Sequence, residues 1–395
     1  MKYAGITDRL ARLGGEKWEL HLQAKTLLEA GAPVIMLTIG EPDIGTPPEL
    51  VAAATAAMNA GRLGYCSGRG ELALLNALAA RYSTRTGRAI GTDQIIALPG
   101  TQTALYAVFQ ALTEAGDEVL VGDPMYATYE GIIAATGAVT VPVPLRPEYG
   151  FRMQVADVIA RITPRTRVLF LNTPHNPTGA MLTGADILAL GEVARAHDLW
   201  IISDEVYEEM VFDAAAFVSP FDIADLADRV IVTSSISKSH AAPGFRSGWC
   251  VGPVEFSARL LPVVETMLFG NQPFIADMTA LAVSQPSTVA PGMVTRFARR
   301  AGLVHGLLNG VNGLTVHLPQ AGMFTVIDIR SSGLTGVEFA ELLLDRERVA
   351  VMPGESFGAS LAGWVRISLT QSDADITEAC SRIARLMAQQ IGQAA

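Results

Sequence analysis

Between residues 92 and 250, short apolar or β-branched runs alternate with longer stretches of helical periodicity. The strand candidates are 94–98, 118–122, 139–143, 167–171, 199–203, 229–233 and 248–251, and helices are read between them at 102–115, 126–136, 154–161 and 183–196. This strand–helix rhythm predicts an α/β fold with a mostly parallel, seven-stranded sheet and helices on both faces. Such sheets bind ligands beyond the carboxyl ends of their strands. The loops just after strands therefore matter most: Gly100-Thr101-Gln102, Asn172 to Gly179, Asp204, and Ser234 to Arg246.

After residue 252 the pattern changes. Helices are expected at 253–268, 273–284, 292–309 and 336–345, strands at 323–329, 348–352 and 364–369, and a terminal helix at 373–391. A chain of 395 residues exceeds what one hydrophobic core usually serves. The expected division is a large domain, 46–289, and a small α+β domain built from an N-terminal arm, 1–45, with 290–395.

The net charge of -10 makes non-specific nucleic-acid binding unfavourable. An anionic ligand must instead be held by a local pocket. Cys66, Cys250 and Cys380 are too far apart in sequence for a disulfide framework or a zinc site, and the six histidines are scattered. No metal site is expected. The first twenty residues mix Lys2, Asp8, Arg9, Arg12, Glu16 and Lys17, which is unlike a signal peptide, and no apolar run reaches transmembrane length. The expected location is the cytoplasm.

The chain has four lysines, Lys2, Lys17, Lys25 and Lys238. Lys238 ends the run Ser234-Ser235-Ile236-Ser237-Lys238, with Gly244-Phe245-Arg246 shortly after. A lysine amine can condense with an aldehyde, and the Schiff base of pyridoxal 5'-phosphate (PLP) is the main biological use of that chemistry. Alone, Lys238 would read as a solvated surface lysine. The nearby serine hydroxyls and the Arg246 fork, however, suit a phosphate dianion. The Gly100-Thr101-Gln102 turn opens a helix whose free N–H groups suit the same dianion, although Thr101 reads equally well as a helix cap. Asp204 ends an apolar strand, where a carboxylate could keep a pyridine nitrogen protonated or cap a helix. Asn176, in an Asn-Pro turn, could bond a ring hydroxyl or be ordinary loop punctuation. Arg366 interrupts an apolar strand and requires an anionic partner, either a substrate carboxylate or a structural ion pair.

In this order and at this spacing, the residues resemble the class I/II PLP-dependent aminotransferases of fold type I over residues 35–370. The resemblance implies that Lys238 carries PLP and moves the proton at the substrate Cα. It pairs Asp204 with the ring nitrogen, sets Asn176 and Tyr207 at the ring oxygen, and stacks Tyr126 on the ring. It places Gly100, Thr101, Gln102, Ser235 and Arg246 at the phosphate or its approach, and Arg366 at the substrate α-carboxylate with Gly40 beside it. Tyr65 resembles the tyrosine that reaches a neighbouring subunit's phosphate, which implies a homodimer with shared active sites.

Ile162 to Arg167, Ala196 to Trp200, Ser237-Lys238-Ser239-His240 and Trp18-Glu19-Leu20-His21 are more similar still to arginine:pyruvate aminotransferases. That group includes relatives acting on guanidino amino acids, some of them cyclic and enduracididine-like, in antibiotic biosynthesis. The implied reaction is a ping-pong exchange between a basic L-amino acid and a 2-oxo acid such as pyruvate. One departure is Ala242-Pro243-Gly244-Phe245-Arg246, which replaces a Thr-Gly-Trp-Arg-type run. A guanidino group needs a carboxylate or aromatic clamp. The segment with Glu16, Trp18 and Glu19 supplies candidates, chiefly Trp18 with Glu19, and its ordinary reading is an amphipathic surface helix. Two competing readings are another PLP reaction on the fold (oxidase, lyase or decarboxylase) and a ligand-sensing regulator. The regulator is disfavoured because about 35 residues before the first motif leave no room for a helix-turn-helix.

Overall fold

The alternation of side chains along a strand decides which helices cover which face of a sheet. The computed structural model describes residues 1–11, 13, 15–212 and 216–394. After a two-residue strand β1 (Ile35–Met36), seven strands form the main sheet: β2 (Ile95–Leu98), β3 (Glu118–Asp123), β4 (Val139–Pro144), β5 (Thr166–Asn172), β6 (Trp200–Asp204), β7 (Val230–Ser235) and β8 (Gly248–Val251). Their order is β2-β8-β7-β6-β5-β3-β4. Strand β8 runs antiparallel to both neighbours, and the other pairings are parallel.

In β2, Ile95 and Ala97 pack on the side of the helices Leu72–Thr86 and Pro273–Val283. Ile96 and Leu98 pack on the side of the helices Thr101–Leu112 and Val254–Met267. Both faces are thus covered, as a near-continuous apolar strand requires. Each fully buried Val, Leu or Ile contributes about 1.5–3 kcal/mol relative to exposure. Local signals set the ends of the helices. Thr183 Oγ1 accepts from the Asp186 N–H at 3.1 Å while the Asp186 carboxylate accepts from the Thr183 N–H at 2.8 Å, starting the helix Gly184–Ala196.

Beyond the sheet come β9 (Thr315–Val316), β10 (Phe324–Asp328), β11 (Val349–Ala350), β12 (Met352–Pro353) and β13 (Trp364–Ser368). Four of them form the antiparallel sheet β12-β13-β10-β9, and β1 pairs with β11. The expected single strand at 348–352 is therefore split. Val349–Ala350 pairs with Ile35–Met36, whereas Met352–Pro353 pairs with β13. A second apolar cluster joins Leu20, Leu37, Phe297, Phe339 and Ile376, and extends to Tyr207 and Ala241 of the larger sheet's loops.

Candidate active site

Strands β5 and β6 end level, with Asn172 beside Asp204, and β7 runs two residues further, Asp204 lying beside Thr233. Their following loops converge on a cavity of about 250 Å³. Asp204 is buried at its floor. No helix follows it, so it caps none. One carboxylate oxygen accepts from the Val206 N–H at 3.2 Å and the other from the Tyr129 hydroxyl at 2.7 Å. Burial pushes the Asp204 carboxyl up to about 6, against those two hydrogen bonds. Asn172 accepts from the Asn176 N–H at 2.9 Å and donates to the Asp204 carbonyl at 3.2 Å, which ties the Asn172–Gly179 turn to β6.

Lys238 leaves the loop after β7 and donates to the Gly40 carbonyl at 2.7 Å. Burial pushes its ammonium down to about 8; Glu41 opposes this, and Arg366 and Arg246 add to it. A Cβ on Gly40 would overlap the Phe324 ring, so only glycine brings that carbonyl so close.

At the other end of the cavity, Gly100 has φ +87° and precedes the helix Thr101–Leu112. A side chain there would meet the Arg246 guanidinium. Thr101 is the first helical residue rather than the cap, and its buried hydroxyl has no partner. Ser235 and Gln102 line the same end. Across the departure at Pro243, Arg246 still lines this cavity: after a 3-10 turn, Pro243–Phe245, its Nη1 donates to the Pro243 carbonyl at 2.7 Å. Free helix N–H groups, an orphaned hydroxyl and a guanidinium here suit an anion.

Arg366 projects from β13 into the same cavity. Its guanidinium lies 4.0 Å from the centre of the Phe324 ring and 4.4 Å from that of Phe357. It donates to Asn176 at 3.0 Å and to the Thr38 carbonyl at 2.5 Å, and its buried Nε has no partner. Among the described residues no carboxylate pairs with it. Burial lowers it to about 10, against the influence of Tyr207 and Tyr126. A buried guanidinium without a counter-ion is costly unless an anion arrives.

Tyr126, Tyr207 and Trp18 also line the cavity. Glu19 does not; it is exposed on the next helix, and its carboxylate faces Gln23 at 3.5 Å. Arg12 and the Glu16 side chain lie outside the described residues. Tyr65 is 92% exposed, away from this cavity, with its ring centre 5.8 Å from that of Phe269. Tyr129 and Phe324 were not singled out in the sequence. Tyr129 was discoverable, because it lies three residues after Tyr126 and opens the helix Tyr129–Ala135, which begins three residues later than expected. Phe324 was not, because it meets Arg366 only through the β10–β13 register, diagonally from the Val326–Arg366 pair. Among the described residues no group of side chains could hold a metal ion, and no helix is long and apolar enough to cross a membrane.

The aminotransferase class I and II family matches residues 32–383. The chain is 44% identical over 394 residues to arginine–pyruvate transaminase AruH of Pseudomonas aeruginosa, covering 100% of both proteins. It is 34% identical to aspartate/prephenate aminotransferase of Cereibacter sphaeroides, over 96% of this chain and 98% of that one. The crystal structure of the aspartate aminotransferase of Rhizobium meliloti superposes with a TM-score of 0.92 at 29% identity, covering 98% of this chain and 99% of the other. With a lysine, a buried carboxylate and an unpaired guanidinium meeting in one cavity, and with these relatives along its whole length, the chain belongs to the class I and II aminotransferases, enzymes that move an amino group between an amino acid and a 2-oxo acid.

Proposed function

We propose that this aminotransferase holds PLP on Lys238 and takes its amino group from an arginine-like L-amino acid, with pyruvate or a similar 2-oxo acid as acceptor. The residues fit the cofactor on three counts. The unpartnered Thr101 hydroxyl and the Arg246 guanidinium suit a phosphate, Asp204 is a buried carboxylate with no cation paired to it among the described residues, and Lys238 is an amine pushed toward its neutral form. When bound, PLP supplies an aldehyde that takes up the amino group and a ring that draws electrons from the donor Cα.

The chain's own side chains do the rest. Asp204, held by Tyr129, would keep the ring nitrogen protonated. Tyr126 would cover a ring face, and Asn176 and Tyr207 would bond the ring oxygen. Lys238 would accept the proton released at the substrate Cα and hold it for return across the adjoining nitrogen. Arg366 would grip the α-carboxylate and so orient the bonds at Cα. Trp18 would close the cavity against water and offer an aromatic face to a guanidinium. Leu63, Tyr65, Leu72 and Phe269 are exposed apolar residues, and a second copy covering them would bring Tyr65 to the partner's phosphate end.

The observation that supports this reading most is Arg366, buried between two phenyl rings with no carboxylate beside it among the described residues, in the cavity that Lys238 enters. The arginine-like donor rests on the full-length relative at 44% identity. Incubating the PLP-loaded protein with arginine and pyruvate is expected to yield alanine and the 2-oxo acid of arginine in equal amounts, with no oxygen uptake. Oxygen consumption or carbon dioxide release would instead place an oxidase or decarboxylase on this fold.

A further inference from the structure

Past the end of β6 the side chains part to two sides. Asp204, Val206 and Tyr207 line the cavity. Glu205 and Glu208 point away, their side chains 0% and 8% exposed, into a cluster of arginines on the helix Leu72–Thr86. Arg85 is its hub. Its Nη1 donates to Glu205 at 3.0 Å and Glu208 at 2.7 Å, and its Nε to Asp222 at 2.9 Å. Arg81, one turn earlier, donates to Glu208 at 2.9 Å and Glu209 at 2.7 Å. The other Glu205 oxygen accepts from the Ser219 hydroxyl at 2.5 Å, and the Glu205 N–H donates to the Thr233 carbonyl of β7 at 2.9 Å. Arg85 is itself seated, its guanidinium carbon 4.6 Å over the Tyr82 ring, and the Tyr82 hydroxyl accepts from Trp249 at 2.9 Å.

A buried carboxylate is tolerated only when it is paired and bonded. Burial raises Glu205, and Arg85 opposes that rise. One planar guanidinium thus ties Glu205 and Glu208 to Asp222, and Glu205 directly follows Asp204 in the chain. None of the hydrogen bonds from Arg85 reaches the cavity. From this geometry we infer that Arg85 is a positioning residue, acting through Glu205 and Glu208 to set where the Asp204 carboxylate and the Tyr207 hydroxyl stand. The inference rests on the reading that Asp204 faces the cofactor's ring nitrogen. A lysine at position 85 would keep the charge but lose the fork that reaches three carboxylates.

The test uses the protein loaded with PLP labelled with 15N at the ring nitrogen, whose chemical shift reports ring protonation. Asp204→Asn marks the shift of an unsupported ring. Arg85→Lys is expected to move the shift toward that value and to raise the PLP dissociation constant about tenfold or more, since small displacements of a positioned group carry large penalties. Glu205→Gln keeps the hydrogen-bonding shape while removing the charge. It is expected to fold and to move the shift the same way by less. Wild-type shifts and PLP affinity in both variants, beside a moved Asp204→Asn shift and lowered melting temperatures, would overturn the inference alone and leave the cluster as plain structural support. An unmoved shift in Asp204→Asn would overturn the assignment of Asp204 and, with it, this inference.

Discussion

Replacing Lys238 with alanine is expected to lower kcat about ten-thousand-fold or more under saturating PLP, measured by alanine formation from arginine and pyruvate. Positioned proton transfer of this kind contributes up to about ten-thousand-fold, and the variant loses the covalent anchor as well. Borohydride should fix PLP irreversibly to the wild-type chain and leave it removable from Lys238→Ala. The amine's displacement to about 8 has its own consequence. Only the neutral amine attacks the aldehyde, so below pH 8 the rate of PLP attachment to cofactor-free protein should rise about tenfold per pH unit and then level off. An ordinary lysine would keep climbing to about pH 10.4.

Replacing Arg366 with leucine is expected to lower kcat/KM about a thousandfold for every amino donor. Losing one partner of a buried, charge-assisted carboxylate pair costs about 2–5 kcal/mol, and each 1.4 kcal/mol is tenfold. Arg366→Lys should recover only part of this, because a point charge cannot make the paired N–H contacts of the guanidinium fork. The same leucine variant, without ligand, is expected to melt no lower than wild type. It replaces an unpaired buried charge by an apolar side chain between Phe324 and Phe357. Loss of activity without loss of stability separates a substrate-binding arginine from a structural one. A melting temperature lowered by several degrees, with kcat/KM near wild type, would mean the reverse.

Most strands of the main sheet were legible because each is a short apolar run buried on both faces; the edge strand β4, partly exposed, was legible from its β-branched valines and threonine. The antiparallel course of β8 was not, since an apolar run carries no direction. The split at Val351 was not legible either, because 349–352 is uniformly apolar and its two halves differ only in the partner strand each meets. Asp204 and Arg366 were conspicuous because charge is out of place at the end or in the middle of an apolar strand, and Lys238 because of the serines before it and Arg246 after it. What holds them was hidden. The Tyr129 hydroxyl reaches a carboxylate 75 residues away, and the Lys238 amine a carbonyl 198 residues away. Arg85 was not singled out in the sequence, because its role comes from Glu205, Glu208 and Asp222, more than a hundred residues away.

The most direct test of the central claim is the visible spectrum of the PLP-loaded protein during titration with arginine in the absence of any oxo acid. The account predicts that the band of lysine-bound PLP is replaced, one equivalent per active site, by the shorter-wavelength band of the amine form, and that added pyruvate restores it. A band that arginine, ornithine, alanine and aspartate all leave unchanged, or that changes only with oxygen uptake, would contradict it.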